Sequence, residues 1–319
     1  MNLGFWSKLK KPFLSLAPME GVTDSVFRRS VARFGRPDVF YTEFTNVNGI
    51  CSEGFEKVAQ RLFFMPDEKP IVAQIWGIEP EMFLAASKKI AALGFDGIDI
   101  NLGCPVRDVT KIGAGGRMIE KDNWTKVTEI IAATREGGGG LPVSVKTRIG
   151  YKKVLTEEWA NFLLDQDLAE ITFHLRTAAE MSKVLARWEE MEKIMRIKDE
   201  KKANTLICGN GDVKSRKHAK ILCDQYGADG IMIGRGVFEN PAVFSVNKSS
   251  LSISERLEAL LAHAKLYEKQ WGSDKPFVEM RKSIKMYVSG FSGAAEMRQL
   301  LMTATSAQDL EDKLDLNSG

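Results

Sequence analysis

Two glycine-containing clusters in the C-terminal half of the chain have the composition of a phosphate-binding site. The first is Gly209-Asn210-Gly211-Asp212, and the second is Gly234-Arg235-Gly236. Glycines let backbone N–H groups approach an anion, a following helix N-terminus favours negative charge, and an arginine adds a donor fork. Each cluster alone is also compatible with a simple turn. Together they predict a site for a phosphorylated ligand.

Lys146 is a second residue with chemical potential, because it follows Val143-Ser144-Val145 in a predicted buried strand. A buried ammonium is costly unless it meets an anion or a cofactor. The residues alone leave three roles open for it. The first is a Schiff-base lysine, as in a barrel aldolase. The second is a structural ion-pair partner. The third is a cation at the electron-rich edge of a reduced flavin.

Cys104 lies in the turn Asn101-Leu102-Gly103-Cys104-Pro105, at the end of another predicted strand. Glycine and proline fix the backbone of such a turn, so we expect an exposed thiol that acts as a nucleophile or a general acid. Cys208 and Cys223 are expected to be buried structural thiols. The three histidines are too few for a metal triad, and His174, which ends a strand, is a candidate donor to a phosphate.

These residues follow short apolar runs that are expected to be strands. Each run is short and mostly β-branched, as in strands that are buried on both faces. The runs are residues 14–19, 39–44, 71–76, 97–102, 142–148, 170–175, 205–208 and 230–233. Amphipathic helical patterns alternate with them, for example at 81–93, 123–135 and 157–164.

Eight strand–helix units in succession predict an α/β fold, a (β/α)₈ TIM barrel followed by a small C-terminal α-helical domain. The alternative is an open doubly wound sheet. Eight units are many for one open sheet, and no GxGxxG motif follows the first strand. In a barrel, the active site lies at the C-terminal ends of the strands, and the polar residues above occupy those positions.

The strand pattern stops after Pro241. Helices are predicted at 254–270, 277–287 and 294–303, with Ser252 or Ser254 as the first N-cap. The chain is therefore divided into a catalytic barrel at 12–245 and a helical domain at 252–312. The polar end, 312–319, is expected to fray, and the densely charged stretch 187–202 is expected to form a solvated helix outside the barrel.

The composition is that of an ordinary soluble enzyme. The 319 residues are 44% hydrophobic and 27% charged, with a formal net charge of +3. This balance permits an RNA partner but does not argue for one. The four scattered cysteines form no CxxC pair, which indicates reduced thiols in the cytoplasm. The chain has no apolar run of ~18 residues and no signal-peptide core, so no membrane partner is expected. The scattered cysteines and the three histidines give no reason to expect a metal.

The motifs, in this order, resemble those of the tRNA-dihydrouridine synthase family. An Asn-x-Gly-Cys-Pro turn with a downstream Lys-x-Arg is highly specific for it. The order and spacing match along roughly residues 13–245, and the helical tail matches in position. The matching segments are Leu16-Ala17-Pro18-Met19-Glu20-Gly21-Val22-Thr23-Asp24, Asn101 to Pro105, Lys146-Thr147-Arg148, Gly209 to Asp212 and Ile233-Gly234-Arg235-Gly236.

The resemblance implies an FMN-dependent oxidoreductase that reduces the C5=C6 double bond of uridines in tRNA. NADPH reduces the flavin, the flavin passes a hydride to C6, and Cys104 protonates C5 as the general acid. The ordinary thiol pKa of about 8.5 leaves such an acid protonated near neutrality. The helical domain helps to bind the tRNA, whose target base must leave the stack.

The resemblance also assigns residues to the two ligands. The cofactor-binding residues that it implies are Pro18, Met19, Glu20, Gln74, Lys146, His174, Asn210, Gly211, Asp212, Gly234 and Arg235. The substrate-binding residues are Asn101, Arg148, Arg176, Arg281 and Lys282. Two positions depart from the family: Leu175 stands where a glycine commonly follows the histidine, and Ser283 stands where many members have a histidine.

Three other functions compete with this interpretation. The first is an FMN barrel that reduces a small molecule, as in a dihydroorotate dehydrogenase-like protein. The second is a lysine-dependent aldolase, and the third is an RNA-binding protein with an inactive barrel. The motifs do not determine which uridine is modified, the preference between NADPH and NADH, or the oligomeric state, for which a monomer is the working expectation.

Overall fold

A single parallel sheet forms the centre of the molecule. The computed structural model describes residues 2–272 and 274–315. Within that part of the chain the strands are β1 (Phe13–Leu16), β2 (Phe40–Tyr41), β3 (Thr45–Asn46), β4 (Ile71–Trp76), β5 (Gly97–Leu102), β6 (Val143–Arg148), β7 (Glu170–His174), β8 (Leu206–Asn210) and β9 (Gly230–Ile233). All the paired strands run parallel, which requires a crossover between each pair.

The sheet closes into a barrel. Its strand order is β1-β9-β8-β7-β6-β5-β4-β2, with β3 also on β4. A parallel bridge between Ser15 and Val39 joins β1 to the segment before β2, and the Leu16 N–H donates to the Val39 carbonyl at 3.2 Å. The predicted barrel is therefore confirmed, and the open doubly wound sheet is wrong.

The second predicted strand, 39–44, is divided in the structure into β2 and β3. The Gln74 N–H donates to the hydroxyl of Thr42 at 3.0 Å, so a side chain replaces a backbone carbonyl in the ladder with β4. Beyond Thr42, the side chain of Glu43 turns away to accept the Gly21 N–H at 2.5 Å. Regular pairing resumes only at Thr45, opposite Ile75.

Helices surround the barrel and bury apolar faces against the sheet. They are α1 (Ser25–Ala32), α2 (Val47–Cys51), α3 (Glu56–Leu62), α4 (Pro80–Ala92), α5 (Arg107–Lys111), α6 (Trp124–Gly137), α7 (Thr156–Leu164), α8 (Glu190–Glu200), α9 (Arg216–Tyr226) and α10 (Gly236–Glu239). The charged stretch at 187–202 does contain an outer helix, α8, which buries Met191, Ile194 and Ile197 at helical spacing.

Further helices follow the barrel. They are α11 (Ile253–Trp271), a 3₁₀ segment (Phe277–Ser283), α12 (Ile284–Tyr287), α13 (Ala294–Leu301) and α14 (Ala307–Asp315). Ser252 is the N-cap of α11, and Glu255 completes a capping box with it. The predicted single helix at 277–287 is mostly 3₁₀, which fits the burial of Met280 and Ser283 three residues apart.

The expectation of a frayed end is wrong for its first residues, because α14 continues to Asp315 and buries Leu314. Residues 316–319 of that expectation lie outside the described residues. The domain boundaries at 12–245 and 252–312 stay a prediction. Among the helices that the structure describes, none is long and apolar enough to cross a membrane.

The helical tail packs on the barrel beside the C-terminal end of β1. The indole N–H of Trp271 donates to the Asp24 carboxylate at 2.9 Å, and Lys275 lies 3.8 Å from the centre of the Trp271 ring. Lys282 reaches the turn at Gly21. A Cβ added to this glycine would lie 3.4 Å from the Lys282 Nζ. The tail therefore adjoins the end of the barrel at which an active site is expected.

Candidate active site

Strand register brings the predicted site residues together at one end of the barrel. Asn101 on β5 pairs with Lys146 on β6, while His174 on β7 lies between Arg148 and Asn210 on its two neighbours. In a parallel barrel these positions share the C-terminal mouth. Residues that are far apart in the chain thus form one polar layer.

A chain of hydrogen bonds leads from the barrel interior to Cys104. The buried carboxylate of Asp99 accepts the Gln74 amide N–H at 2.6 Å. Because this fixes the amide orientation, the Gln74 oxygen faces Asn101 and accepts its amide N–H at 3.0 Å. The Asn101 oxygen in turn accepts the backbone N–H groups of Gly103 and Cys104, at 3.1 and 2.9 Å. Asp99 therefore positions the cysteine turn through two amides.

Sequence reasoning missed Asp99. The signal was present, since an aspartate in the otherwise apolar run Gly97–Leu102 shares a strand face with Asn101. The carboxyl also accepts the Ser144 hydroxyl at 2.7 Å. Burial raises the pKa of Asp99 to about 6, although its two hydrogen bonds oppose this rise.

Cys104 is buried rather than exposed, with 8% of its surface accessible. The expectation of an open thiol was wrong because the following loop folds back on the turn, and the Gly116 N–H donates to the Cys104 carbonyl at 2.9 Å. Gly115, at φ +58°, approaches that carbonyl so closely that a Cβ would lie 2.8 Å from it. Burial raises the pKa of the Cys104 thiol, so it carries its proton at neutral pH.

Arg148 braces the same turn. Its Nε donates to the Gly103 carbonyl at 2.9 Å, and its Nη1 donates to the carbonyls of Thr177 and Met181 at 3.0 and 2.9 Å. These bonds tie the loop after β5 to the loop after β7. A contact with substrate would use the remaining nitrogen, Nη2, and stays a prediction.

Lys146 lies within the barrel, where its Nζ is 3.4 Å from the Asn210 amide oxygen. Burial, together with the nearby Arg148, lowers the pKa of Lys146 to about 8, although Asp99 and Glu170 oppose this effect. The hydrogen bond is long and its acceptor is neutral, so the ammonium is incompletely compensated. This is the electrostatic condition of a site that accepts an electron-rich ligand.

Arg176 and Asp212 organise the predicted phosphate site. Asp212 accepts hydrogen bonds from Arg176 Nη2 and from the Ala186 N–H, and its second oxygen is 3.6 Å from Arg235 Nη2. Arg176 Nε also donates to the Val184 carbonyl. Its nitrogens are therefore bonded inside the protein, and its contact with substrate stays a prediction.

His174 completes this cluster as a neutral ring. Its Nε2 lies 2.9 Å from Arg176 Nη1. Because a guanidinium only donates, Nε2 accepts this bond and the ring hydrogen is on Nδ1. Burial, with Arg148 and Lys146 nearby, holds the pKa of His174 well below its usual range. The histidine can thus donate from Nδ1 without adding a charge.

The end of β1 supplies the facing wall. A Cβ at Gly234 would lie 3.4 Å from the Cβ of Ala17 and 3.9 Å from the Met19 sulfur, so β9 and the Pro18-Met19 turn are in close contact. Glu20, next in sequence, forms an ion pair with Arg61. The structure thus places Ala17 and Met19 beside Gly234, whereas Glu20 extends towards Arg61 on α3.

The two tail residues differ in their surroundings. Arg281 Nε donates to the Ala304 carbonyl at 2.9 Å, so this side chain holds the tail together. Lys282 is exposed and lies against the Gly21 turn at the mouth. Lys282 is the better placed of the pair to meet a polyanion.

Among the described residues, no group of three or more His, Cys, Asp or Glu side chains is arranged to hold a metal ion. The ionisable groups that do converge are the Cys104 thiol, the Lys146 ammonium, the neutral His174, the Asp212 carboxylate and guanidinium groups. Such a set suits proton donation and the binding of anions.

Comparison with known proteins gives concordant results. A family model described as dihydrouridine synthase (Dus) matches residues 15–318. The probable tRNA-dihydrouridine synthase of Staphylococcus aureus (strain MRSA252) is 46% identical over 99% of this chain and 96% of the relative. The probable tRNA-dihydrouridine synthase 2 of Bacillus subtilis (strain 168) is 45% identical over 99% of this chain and 97% of the relative.

A solved structure of morphinone reductase in complex with tetrahydroNAD aligns with a TM-score of 0.50 and 13% identity, over 72% of this chain and 84% of that one. At this identity the likeness shows a shared barrel fold and nothing more. The family model and the two relatives span nearly the whole sequence, including the cysteine turn and the helical tail. The chain belongs to the dihydrouridine synthase family.

Proposed function

We propose that this protein is a cytoplasmic tRNA-dihydrouridine synthase that uses FMN and NADPH to reduce uridines in tRNA. The single observation that supports this most strongly is a protonated Cys104 thiol at the barrel mouth, in a turn whose backbone N–H groups are bonded to Asn101. A general acid in that position suits the addition of a proton to a base that enters the mouth.

The side chains at the mouth fit FMN. The exposed guanidinium of Arg235, with the neutral His174, suits a phosphate, while Asp212 is bonded to Arg176 and lies 3.6 Å from Arg235. Gly211, at φ +135°, has no space for a side chain, since a Cβ would lie 2.6 Å from Ala186. The incompletely compensated ammonium of Lys146 suits the polar edge of an isoalloxazine ring. When bound, FMN supplies the hydride for reduction of the base.

The chain's own residues perform the remaining tasks. Asn101 fixes the backbone of the cysteine turn, and Arg148 braces it from the opposite side. The Cys104 thiol donates its proton to the ring carbon next to a carbonyl, and solvent later restores that proton. In this proposal Pro18 and Met19 face the cofactor, Gln74 supports it through its bonds to Asp99 and Asn101, and Asn101 and Arg148 serve the substrate.

The alternatives are less well supported. The 46% and 45% identical relatives are both named as tRNA-dihydrouridine synthases, which disfavours a barrel that reduces a small molecule. An inactive RNA-binding barrel does not explain the chain of hydrogen bonds that leads from Asp99 to the Cys104 turn. An aldolase role for Lys146 does not explain the arginine and glycine cluster around His174.

The first test of the proposal is the flavin content of the purified protein. We expect a yellow protein that releases FMN on denaturation, in about one equivalent per chain, because the site combines a phosphate cluster with a buried cation. Mass spectrometry of the released cofactor separates FMN from other flavins. A protein that stays colourless after incubation with FMN would count against the whole proposal.

Binding of tRNA is expected to depend on Lys282. Lys282→Ala should reduce the slope of log affinity against log salt by about one, because one phosphate contact is lost. Arg281→Ala is the matched comparison, and it should lower the melting temperature through the lost bond to Ala304. Filter binding at several salt concentrations measures the slopes. An unchanged slope for Lys282→Ala would locate the RNA contact elsewhere, for example at Lys8, Lys10 and Lys11.

A further inference from the structure

An open hollow lies beside the loop that carries Cys104, and it is separate from the phosphate cluster around His174. Its volume is about 580 Å³. Helix α5 and the turn after it form one wall, and Tyr151, from the loop after β6, forms part of the other. No residue of this hollow belongs to the groups assigned above to the flavin or to the acid.

Helix α5 has two different sides. Val109 is buried and packs with Cys104 and Ala114 in one apolar cluster. Arg107 and Lys111 are exposed, lie four residues apart on one face, and line the hollow. The helix that supports the cysteine from behind therefore directs two cations outward.

Arg117 adds a third positive charge. Its guanidinium lies over the Tyr151 ring at 5.1 Å, and its Nε is 2.8 Å from a Glu120 oxygen, so it is held in place and partly neutralised. Within the described residues, the lining of the hollow includes no aspartate or glutamate. Arg107 and Lys111 are like charges on one helix face and repel each other, and an anion in the hollow relieves this repulsion.

The position of the hollow indicates which anion. If Cys104 protonates a base that has left the stack, the sugar and the flanking phosphates of that nucleotide remain outside the mouth. The outward side of α5 lies next to this entrance, because α5 begins three residues after Cys104. An open, solvent-facing hollow also suits a backbone that passes through, whereas a small ligand is better held by a closed cleft.

We propose that Arg107 and Lys111 bind backbone phosphates of the RNA strand next to the target uridine. This inference rests on the proposed function and adds a second RNA contact, in the loop after β5, to that of Lys282 beside the turn after β1. Two separate contacts would hold the strand at the mouth while the base enters. Because α5 also packs on Cys104, the same helix would align the acid with the bound strand.

The test is the double substitution Arg107→Gln and Lys111→Gln, measured by tRNA binding over a range of salt concentrations. Loss of two phosphate contacts should reduce the slope of log affinity against log salt by about 1.5. The matched control is Lys88→Gln with Lys126→Gln, which removes the same charge from exposed positions on α4 and α6. The control should leave the slope at the wild-type value. FMN content and the rate of flavin reduction by NADPH should not change in either variant.

Three results would overturn the inference. The first is an unchanged salt slope of tRNA binding in the double variant. The second is an equal fall of the slope in the control, which would mean that net charge, and not these two positions, determines tRNA binding. The third is a higher KM for NADPH in flavin reduction by the double variant, with tRNA binding intact. That result would assign the hollow to the phosphates of the dinucleotide. Failure of the proposed function has a separate signature. In that case the wild-type protein would leave uridine unreduced, while the slope still responded to loss of Arg107 and Lys111.

Discussion

Cys104→Ala is expected to slow uridine reduction by about 10²- to 10⁴-fold, the usual contribution of a positioned general acid. The base must gain a proton at the carbon next to its carbonyl, and the buried Cys104 thiol is the acid that we propose for this step. Reduction of the flavin by NADPH should be nearly unaffected, because that half-reaction takes no proton from Cys104. Stopped-flow absorbance measures the two half-reactions separately.

Cys223→Ala is the matched control for this experiment, since Cys223 is a buried thiol on the outer helix α9. It should leave both half-reactions at wild-type rates. Cys104→Ser keeps a hydroxyl in the same turn and should retain the bonds to Asn101 while losing most of the rate. Equal slowing of both half-reactions by Cys104→Ala, or of neither, would remove Cys104 from the role of acid.

Lys146→Met should weaken FMN binding by roughly 10- to 100-fold, the value of a lost hydrogen bond to a charged group. The same change should slow flavin reduction, because in the proposed site the ammonium would stabilise the negative charge that the ring gains. Methionine keeps an unbranched side chain, one atom shorter, and removes the ammonium with its charge and its hydrogen-bond donors. Lys152→Met, at an exposed position in the loop after β6, is the matched control and should have no effect.

The pH dependence of FMN binding gives a second measure of the same residue. The pKa of Lys146 is lowered to about 8, so the ammonium is present below this pH and is lost as the pH rises through it. The affinity of the flavin-free protein for FMN should therefore fall above about pH 8, and the fall should be absent in Lys146→Met. Wild-type flavin content and reduction rate in Lys146→Met would contradict the assignment. Borohydride trapping of a carbonyl compound on Lys146 would support the aldolase role instead.

The barrel and the position of its mouth could be predicted from sequence because they depend on short-range signals. Buried parallel strands appear as short apolar runs, and polar residues at their ends mark the C-terminal face. The split at Thr42 could not be predicted in this way, since a side-chain hydroxyl replaces a backbone acceptor there. The 3₁₀ winding of Phe277–Ser283 depends on packing within the tail, which local periodicity does not show.

The partners of the site residues were harder to predict than their positions. Cys104 and His174 were identified because they follow or end a strand, and Lys146 because it is a lysine within a buried strand. The burial of Cys104 depends on a loop that folds back, and the bonds of Arg176 to Asp212 join two distant loops. The two faces of α5 were visible in the spacing of Arg107, Val109 and Lys111, but only the fold shows that Val109 packs on Cys104.

Formation of dihydrouridine in tRNA is the most direct test of the proposed function. Unmodified tRNA, the purified protein, FMN and NADPH are incubated together, and the digested nucleosides are analysed by mass spectrometry. The account predicts that specific uridines gain two hydrogens in the presence of NADPH, and that Cys104→Ala nearly abolishes this gain. A flavin-loaded protein that oxidises NADPH but leaves every uridine of its tRNA unreduced would contradict it.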